Sequence, residues 1–184
     1  MSVSIVYETH STSKDNEAGV ASGWSPSELS EAGREQAAAL GQRRRDDGID
    51  VVFSSDLRRA VQTAEIAFTG SDVPLLQDVR LRECNYGDLN SAPVERVHAE
   101  RASRVDTPFP NGQSYREVVN QTRDFLLDLA RDYDGKRVLL ISHSANRWAL
   151  QHLLGSERLE DVVVAPFDWQ EGWEYTLPSG WSAD

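Results

Sequence analysis

Residues 3–13 read VSIVYETHSTS, a short apolar run that passes into His10 and a series of small hydroxyl residues. The β-branched and aromatic residues at its start predict a buried strand that ends just before the histidine. The arrangement recurs later in the chain, where residues 138–144 read VLLISHS and place His143 directly after another apolar run. Two strands are therefore expected to end next to a histidine.

Predicted strands and helices alternate over the length of the chain. Further strands are predicted at residues 51–53, 73–76, 162–164 and 173–177, and helices are predicted to start near residues 30, 57, 93, 115 and 144. Ser30 and the cluster Ser54-Ser55-Asp56 are the predicted caps of the first two of these helices. Residues 9–27 are rich in Ser, Thr, Asn, Asp and Gly and are predicted as a loop. The alternation predicts a three-layer α/β/α fold with a mostly parallel central sheet. No repeat or linker interrupts it, so residues 1–184 are expected to form one domain.

The composition limits the classes of partner. A net charge of −11 argues against broad binding to nucleic acids or membrane surfaces. The negative charge still allows a small anionic substrate. Salt screens the field of distant charges within about 8–10 Å, so a few cations that converge on a site can attract an anion there. Cys84 is the one cysteine, which excludes an intramolecular disulfide. The sequence has no signal-like start and no apolar run of about 20 residues, and a cytoplasmic protein is expected.

The two histidines and the segment Ser54-Ser55-Asp56 fall at predicted carboxyl ends of strands, which is where open α/β sheets bind ligands. A neutral imidazole is a competent nucleophile near neutral pH. Phosphoryl transfer needs positioning, cations around the equatorial oxygens and a general acid for the leaving alkoxide. Two histidines, an arginine from a helix N-terminus and a carboxylate would meet these needs.

Four segments, taken in order, resemble the histidine phosphatase superfamily, which has a phosphoglycerate-mutase-like fold. The segments are residues 9–16 (THSTSKDN), 22–37 (SGWSPSELSEAGREQA), 54–64 (SSDLRRAVQTA) and 141–144 (ISHS). Residues 81–87 (LRECNYG), between the last two, resemble the acid-bearing loop of that family. The resemblance implies a phosphatase that hydrolyses a small phosphomonoester through a phosphohistidine, with no metal or organic cofactor.

The resemblance also implies a role for each matching residue. His10 is the implied phosphorylated nucleophile, while Arg59 and His143 are implied to bind the phosphoryl oxygens. Glu83 is the implied general acid and then the base that activates water. The residues implied to line the phosphate loop or to contact the substrate are Thr9, Ser11, Ser13, Asn16 and Ser144.

This chain departs from the family pattern next to both histidines. The arginine that precedes the nucleophile in the family is Thr9 here, and the glycines that follow the histidines are Ser11 and Ser144. A hydrogen bond to a charged group contributes roughly 1.5–3 kcal/mol. Its loss from the transition state corresponds to roughly a tenfold to a few hundredfold lower rate, which would weaken a phosphatase without abolishing it.

Glu8 stands where the family has an apolar strand residue. A carboxylate at a buried strand end needs a cationic partner. We expect Glu8 to pair with Lys14, Arg82 or Arg147, and the same cations are candidates to replace the missing arginine.

Three functions stay open at this point. The first is a phosphomonoesterase, and the second is a mutase that returns the phosphoryl group to its substrate; the chain is short for the segments that cover the site in mutases. The third is a catalytically weakened binding or regulatory module, which Thr9 and Glu8 suggest. The first two functions predict a phosphohistidine at His10, whereas the third predicts none.

Other features have structural interpretations. The run Arg43-Arg44-Arg45 is expected at a helix C-terminus, where it complements the helix dipole. His98 is expected on the surface or packed against a helix. The segment 90–112 and the Trp-rich tail are expected to shape the mouth of the pocket, and the aromatic tail is also a candidate surface for a homodimer.

Overall fold

A computed structural model describes residues 1–182 of the chain. Its strands are β1 (Ser2–Thr9), β2 (Val20–Ala21), β3 (Val51–Ser54), β4 (Leu75–Gln77), β5 (Ala92–Pro93), β6 (Arg137–Ser142) and β7 (Trp173–Pro178). Its α-helices are α1 (Lys14–Glu17), α2 (Glu31–Arg44), α3 (Arg58–Ala67), α4 (Val94–Glu100), α5 (Tyr115–Asp132), α6 (Ser144–Gly155) and α7 (Leu159–Val162). None of the helices within these residues is both long and apolar enough to cross a membrane.

The central sheet has the strand order β4-β3-β6-β1-β7. Every neighbouring pair is parallel except β1 with β7, which is antiparallel. The central strands β1 and β6 are paired so that Thr9 lies opposite Ser142. The next residue on each strand is a histidine, so this register brings His10 and His143 to the same edge of the sheet.

The residues of the inner strands alternate between two apolar cores. Ile5 and Tyr7 of β1 belong to the core beneath α5 and α6. Val6 belongs to the core on the opposite face, together with Leu40 of α2 and residues of α3. Because both faces of the sheet are covered by helices, the predicted three-layer α/β/α fold with a mostly parallel sheet is confirmed.

Glycine 33 allows α2 to approach the loop that follows β1. A β-carbon at Gly33 would overlap the backbone carbonyl of Thr12, so a larger residue would push the helix away. Ser30 caps this helix as predicted, since its hydroxyl accepts a hydrogen bond from the Gly33 amide. The N-terminal part of α2 therefore packs directly against the segment that carries His10.

Three local predictions were wrong. Residues 9–27 contain α1 and β2, which are too short to give a periodic signal. Residues 162–164 form the end of α7 and the turn after it; a short buried apolar run does not distinguish a strand from a helix. The predicted capping cluster before α3 does not cap it, because the N-cap is Leu57 and the Ser55 hydroxyl lies against His143.

Candidate active site

The ends of β1 and β6 hold the two histidine rings together. The ring centroids of His10 and His143 lie 5.0 Å apart. The backbone amide of His10 donates to the carbonyl of Ser142 at 2.9 Å, which extends the strand pairing to the histidine itself. The two histidines that follow the apolar runs are thus in contact in the folded chain.

The hydrogen bonds of His10 determine which ring nitrogen is free to react. Nδ1 lies 2.7 Å from the carbonyl oxygen of Ser11, and a carbonyl only accepts, so Nδ1 carries the proton. Nε2 accepts a 3.3 Å hydrogen bond from Nε of Arg59 and keeps the lone pair. Burial, aided by the charge of Arg59, lowers the pKa of His10 to about 3. The imidazole is therefore neutral at pH 7, with Nε2 as its nucleophilic atom.

Arg59 brings a buried positive charge to this nitrogen from the first turn of α3. Its side chain is held by a 2.9 Å hydrogen bond from Nη2 to the carbonyl of Gly23. Nη1 is buried and has no protein partner among the described residues. Burial lowers the pKa of the guanidinium, although an arginine stays charged at neutral pH. An unpaired buried donor on a cation, beside a nucleophile, is suited to an oxyanion.

His143 is fully buried at the start of α6. The hydroxyl of Ser55 lies 2.7 Å from its Nε2, and the hydroxyl of Tyr7 donates to its carbonyl oxygen. Its Nδ1 has no hydrogen-bond partner within the described part of the chain. Burial holds the pKa of this ring well below its usual value, so His143 is neutral and one ring nitrogen is available to a ligand.

Glu83 supplies a buried carboxyl group to the same site. Its Oε1 accepts from the amide of Cys84 at 2.8 Å, and its carbonyl accepts from the indole of Trp24 at 2.7 Å. Burial raises the pKa of the carboxyl, and the hydrogen bond from the Cys84 amide and the charge of Arg59 oppose this effect only partly. A raised pKa keeps the proton available for donation, which is the property that a general acid needs.

These side chains share one cavity of about 900 Å³. The predicted site residues that line it are His10, Arg59, Glu83, His143, Thr9, Ser11, Asn16 and Ser144. Ser13 does not line it, because its side chain is fully buried and caps α1. Its hydroxyl forms a capping box with Asn16, so the structure gives Ser13 a local role in place of the predicted contact with substrate.

Glu8 is buried and paired, but with different partners from those predicted. It is 2% exposed and contacts Arg44 at 2.9 Å and Arg43 at 3.3 Å. Both arginines lie on α2, which packs over this face of β1, and neither was among the expected partners. Pairing with a cation is confirmed, and the identity of the cation was wrong.

The three cations that had been expected near Glu8 have other contacts. Lys14 pairs with Glu28, and Arg82 forms two 2.6 Å hydrogen bonds with Asp56. The guanidinium of Arg147 lies 4.3 Å from the ring centroid of Trp173. None of these cations lines the cavity, so they do not replace the arginine that Thr9 lacks.

Three further basic side chains line the cavity, and the sequence analysis did not single them out as site residues, although the segment 90–112, which was expected at the mouth of the pocket, contains two of them. They are Arg43, His98 and Arg101. Arg43 follows Leu40 by three residues, and that helical spacing on the buried side of α2 is a signal that could have found it. Arg101, whose guanidinium lies 4.9 Å from the ring centroid of Trp148, carries no such signal in the sequence.

The donor set offers little to a metal ion. Within residues 1–182, no group of three or more His, Cys, Asp or Glu side chains is arranged to hold a metal. The groups that converge on His10 are instead a second imidazole, a guanidinium and a single carboxyl. This arrangement is suited to binding a phosphoryl anion and to moving a proton.

Comparison with known proteins agrees with this geometry. Residues 9–162 match the histidine phosphatase superfamily (branch 1). The probable phosphoglycerate mutase GpmB of Yersinia pestis (strain Pestoides F) is 34% identical over 179 residues, covering 86% of this chain and 80% of that protein.

Solved structures share the fold at lower identity. Bacillus stearothermophilus YhfR superposes with a TM-score of 0.81 at 22% identity, over 92% of this chain and 88% of that one. A mycobacterial glucosyl-3-phosphoglycerate phosphatase superposes with a TM-score of 0.76 at 24% identity, over 89% of this chain and 84% of that one. With the paired histidines, the buried arginine and the match over residues 9–162, the chain belongs to the histidine phosphatase superfamily.

Proposed function

We propose that this chain is a phosphatase that transfers the phosphoryl group of a small phosphomonoester to Nε2 of His10 and then to water. The observation that carries the proposal is the contact between that nitrogen and Arg59, whose Nη1 is buried and unpaired among the described residues. The nucleophile is neutral, and the cation beside it has a donor free for a phosphoryl oxygen.

In the first step, Nε of Arg59 moves its hydrogen bond from Nε2 of His10 to a phosphoryl oxygen, which frees the lone pair of Nε2. That lone pair attacks phosphorus, and the bond from phosphorus to the ester oxygen breaks. Glu83 gives its proton to the departing oxygen, so the leaving group departs as an alcohol. Arg59 and His143 donate to the equatorial oxygens, where charge accumulates in the transition state. The products of this step are the alcohol, phosphohistidine and the Glu83 carboxylate.

In the second step, the Glu83 carboxylate takes a proton from water as the water attacks phosphorus. The bond between phosphorus and Nε2 breaks, and inorganic phosphate leaves. This restores neutral His10 and protonated Glu83, so the cycle needs no co-reactant besides water. We propose that it also needs no metal ion, and we expect treatment with a chelator to leave the rate unchanged.

A mutase is the second candidate, because the Yersinia pestis relative is named as a probable phosphoglycerate mutase and is 34% identical to this chain. A mutase would pass the phosphoryl group from His10 to a hydroxyl of the substrate instead of to water. The same residues would serve both reactions. The two are distinguished by the acceptor: free phosphate in one case, an isomerised phosphate ester in the other.

The test is a panel of phosphate esters, including glycerol 1-phosphate and 3-phosphoglycerate, with product analysis for both free phosphate and isomers. We expect phosphate release by the wild type and none by His10→Asn. Isomerisation without phosphate release would favour the mutase. Equal phosphate release by the wild type and His10→Asn would overturn His10 as the nucleophile. Neither phosphate release nor isomerisation by the wild type would overturn both candidates and leave a module that binds phosphate esters without this chemistry.

A further inference from the structure

The cavity extends beyond the histidines along a loop with unusually exposed apolar side chains. This loop, residues 163–172 between α7 and β7, is named here the aromatic loop. Its residues Val164, Phe167 and Trp169 are 54%, 45% and 57% exposed, and all three line the cavity that holds His10. Clustered exposed apolar side chains at the rim of a pocket are typical of a binding surface.

The aromatic loop is tied to the strand that carries the nucleophile. Nη2 of Arg44 donates to the carbonyl of Glu171 at 2.9 Å, while Nε of the same arginine donates to Glu8 at 2.9 Å. Glu8 is two residues before His10 on β1. The buried carboxylate thus connects β1, α2 and the loop, and this explains an acid at a strand position that is otherwise apolar.

The ring of Phe167 is also supported from behind. Its centroid lies 6.3 Å from that of Trp173, and the guanidinium of Arg147 lies 5.7 Å from the Phe167 ring. These contacts hold the ring in place while leaving nearly half of its surface exposed. A held and exposed aromatic surface loses little conformational entropy when a ligand covers it.

Apolar residues also line other walls of the cavity. Ala39 and Leu40 contribute from α2, and Val94 and Val97 contribute from α4. A volume of about 900 Å³ is near the upper end of the range of roughly 300–1,000 Å³ that encloses drug-sized ligands. A phosphoryl group and a three-carbon leaving group would fill a small part of this space.

The charges on the loop limit what it can bind. Glu171 lines the cavity and Asp168 lies next to Trp169 in the chain, so the loop presents acids at this end. Arg43, which faces the same cavity, is already paired with Glu8. The other basic side chains of the cavity, His98 and Arg101, come from α4 and the residue after it and not from this loop. A second anionic group on the leaving group is therefore disfavoured at the aromatic loop itself.

We infer that the aromatic loop is the leaving-group subsite and that it selects phosphomonoesters of apolar, preferably aromatic, alcohols. This inference rests on the proposed function, because it assumes that the phosphoryl group binds at His10. The apolar part of the alcohol contacts Phe167 and Trp169, and the ester oxygen lies toward Glu83.

The test compares two esters of primary alcohols, so that the leaving oxygens are chemically alike: 3-phenylpropyl phosphate and glycerol 1-phosphate. We expect the wild type to show a ratio of kcat/KM of at least about tenfold in favour of the phenylpropyl ester, the size of effect that an apolar pocket gives. Trp169→Ala should lower that ratio about fivefold. Leu127→Ala, which removes an exposed leucine from α5, should leave the ratio as in the wild type.

Each outcome separates this inference from the proposed function. If both esters are hydrolysed with a ratio near one, or if Trp169→Ala keeps the wild-type ratio, the subsite is overturned while the phosphatase stands. If neither ester is hydrolysed, the phosphatase is overturned and the subsite with it. A tenfold preference that falls in Trp169→Ala and not in Leu127→Ala supports the subsite.

Discussion

Nε of Arg59 donates a 3.3 Å hydrogen bond to Nε2 of His10, and this contact organises the site. It leaves the proton of the imidazole on Nδ1, where the Ser11 carbonyl accepts it at 2.7 Å. It also contributes to the low pKa of the ring, since a neighbouring cation disfavours a second positive charge. A single arginine therefore affects both the reactivity of the nucleophile and the binding of its substrate.

Replacing Arg59 tests that double role. We expect Arg59→Lys to lower kcat/KM roughly tenfold to a few hundredfold, because lysine keeps the charge and loses the planar set of donors. The neighbouring Arg58→Ala is the matched control, since Arg58 is half exposed and its partner Glu65 is 3.9 Å away. Steady-state kinetics on folded protein, checked by circular dichroism, measures both. A loss of less than about twofold in Arg59→Lys would contradict the role.

The low pKa of His10 predicts an unusual acid limb in the pH profile of kcat/KM. That pH profile reports the pKa values of ionising groups in the free enzyme. Because burial and Arg59 lower the pKa of His10 to about 3, the ring stays neutral as the pH falls from 7 to 5. We therefore expect no loss of kcat/KM over that range once it is corrected for ionisation of the ester. A limb with an apparent pKa near 6.5 would show instead an ordinary histidine.

The contribution of Glu83 to kcat/KM should increase with the basicity of the leaving group. General acid catalysis contributes about 10²–10⁴-fold, so Glu83→Gln should lower kcat/KM for glycerol 1-phosphate by that factor. The loss should be far smaller for 4-nitrophenyl phosphate, whose leaving group departs without a proton. Cys84→Ala serves as the buried neighbouring control. An equal loss on both esters would exclude proton donation by this residue.

The carboxyl of Glu83 also predicts the alkaline limb of the pH profile of kcat/KM. Burial raises the pKa of Glu83, so its protonated form persists above the usual range and is lost as the pH rises further. The value of kcat/KM for glycerol 1-phosphate should fall along that titration. We expect the limb to disappear in Glu83→Gln, which cannot titrate. Persistence of an identical limb in that variant would assign it to another group.

Glu8 should affect stability. Removing one partner of a buried ion pair costs about 3–5 kcal/mol. Since Arg43 and Arg44 are 24% and 13% exposed, solvent screening reduces the expected loss in Glu8→Gln to about 2–4 kcal/mol. Lys14→Ala, which breaks the exposed pair with Glu28, should cost less than about 1 kcal/mol. Urea unfolding measures both, and equal losses would contradict a buried, structural Glu8.

The sequence predicted those parts of the molecule that depend on local pattern. The apolar runs of β1 and β6 are buried on both faces and end in histidines, so both the strands and their juxtaposition followed from the residues. The start of α2 followed from Ser30, whose capping chemistry is local. These features need no knowledge of how distant segments pack.

Features that depend on packing between distant segments were not predictable in the same way. The partner of Glu8 lies 36 residues away on α2, and the sequence does not say which turn of that helix crosses β1. Ser55 resembles a helix cap, yet its hydroxyl contacts His143, 88 residues later. In both cases the contact is made with a residue that is distant in the sequence, and the local sequence does not indicate which residue that is.

If the phosphoryl group passes through His10, the phosphoenzyme can be trapped. Enzyme mixed with phosphate ester and quenched in alkali should yield a phosphoryl group on the peptide that carries His10, stable in base and lost in acid. This phosphoryl group should be present in the wild type and absent from His10→Asn. It should also be present in the control His152→Asn, because His152 lies on α6 and does not line the cavity. A phosphoryl group on another residue, or turnover in His10→Asn at the wild-type rate, would exclude His10 as the nucleophile.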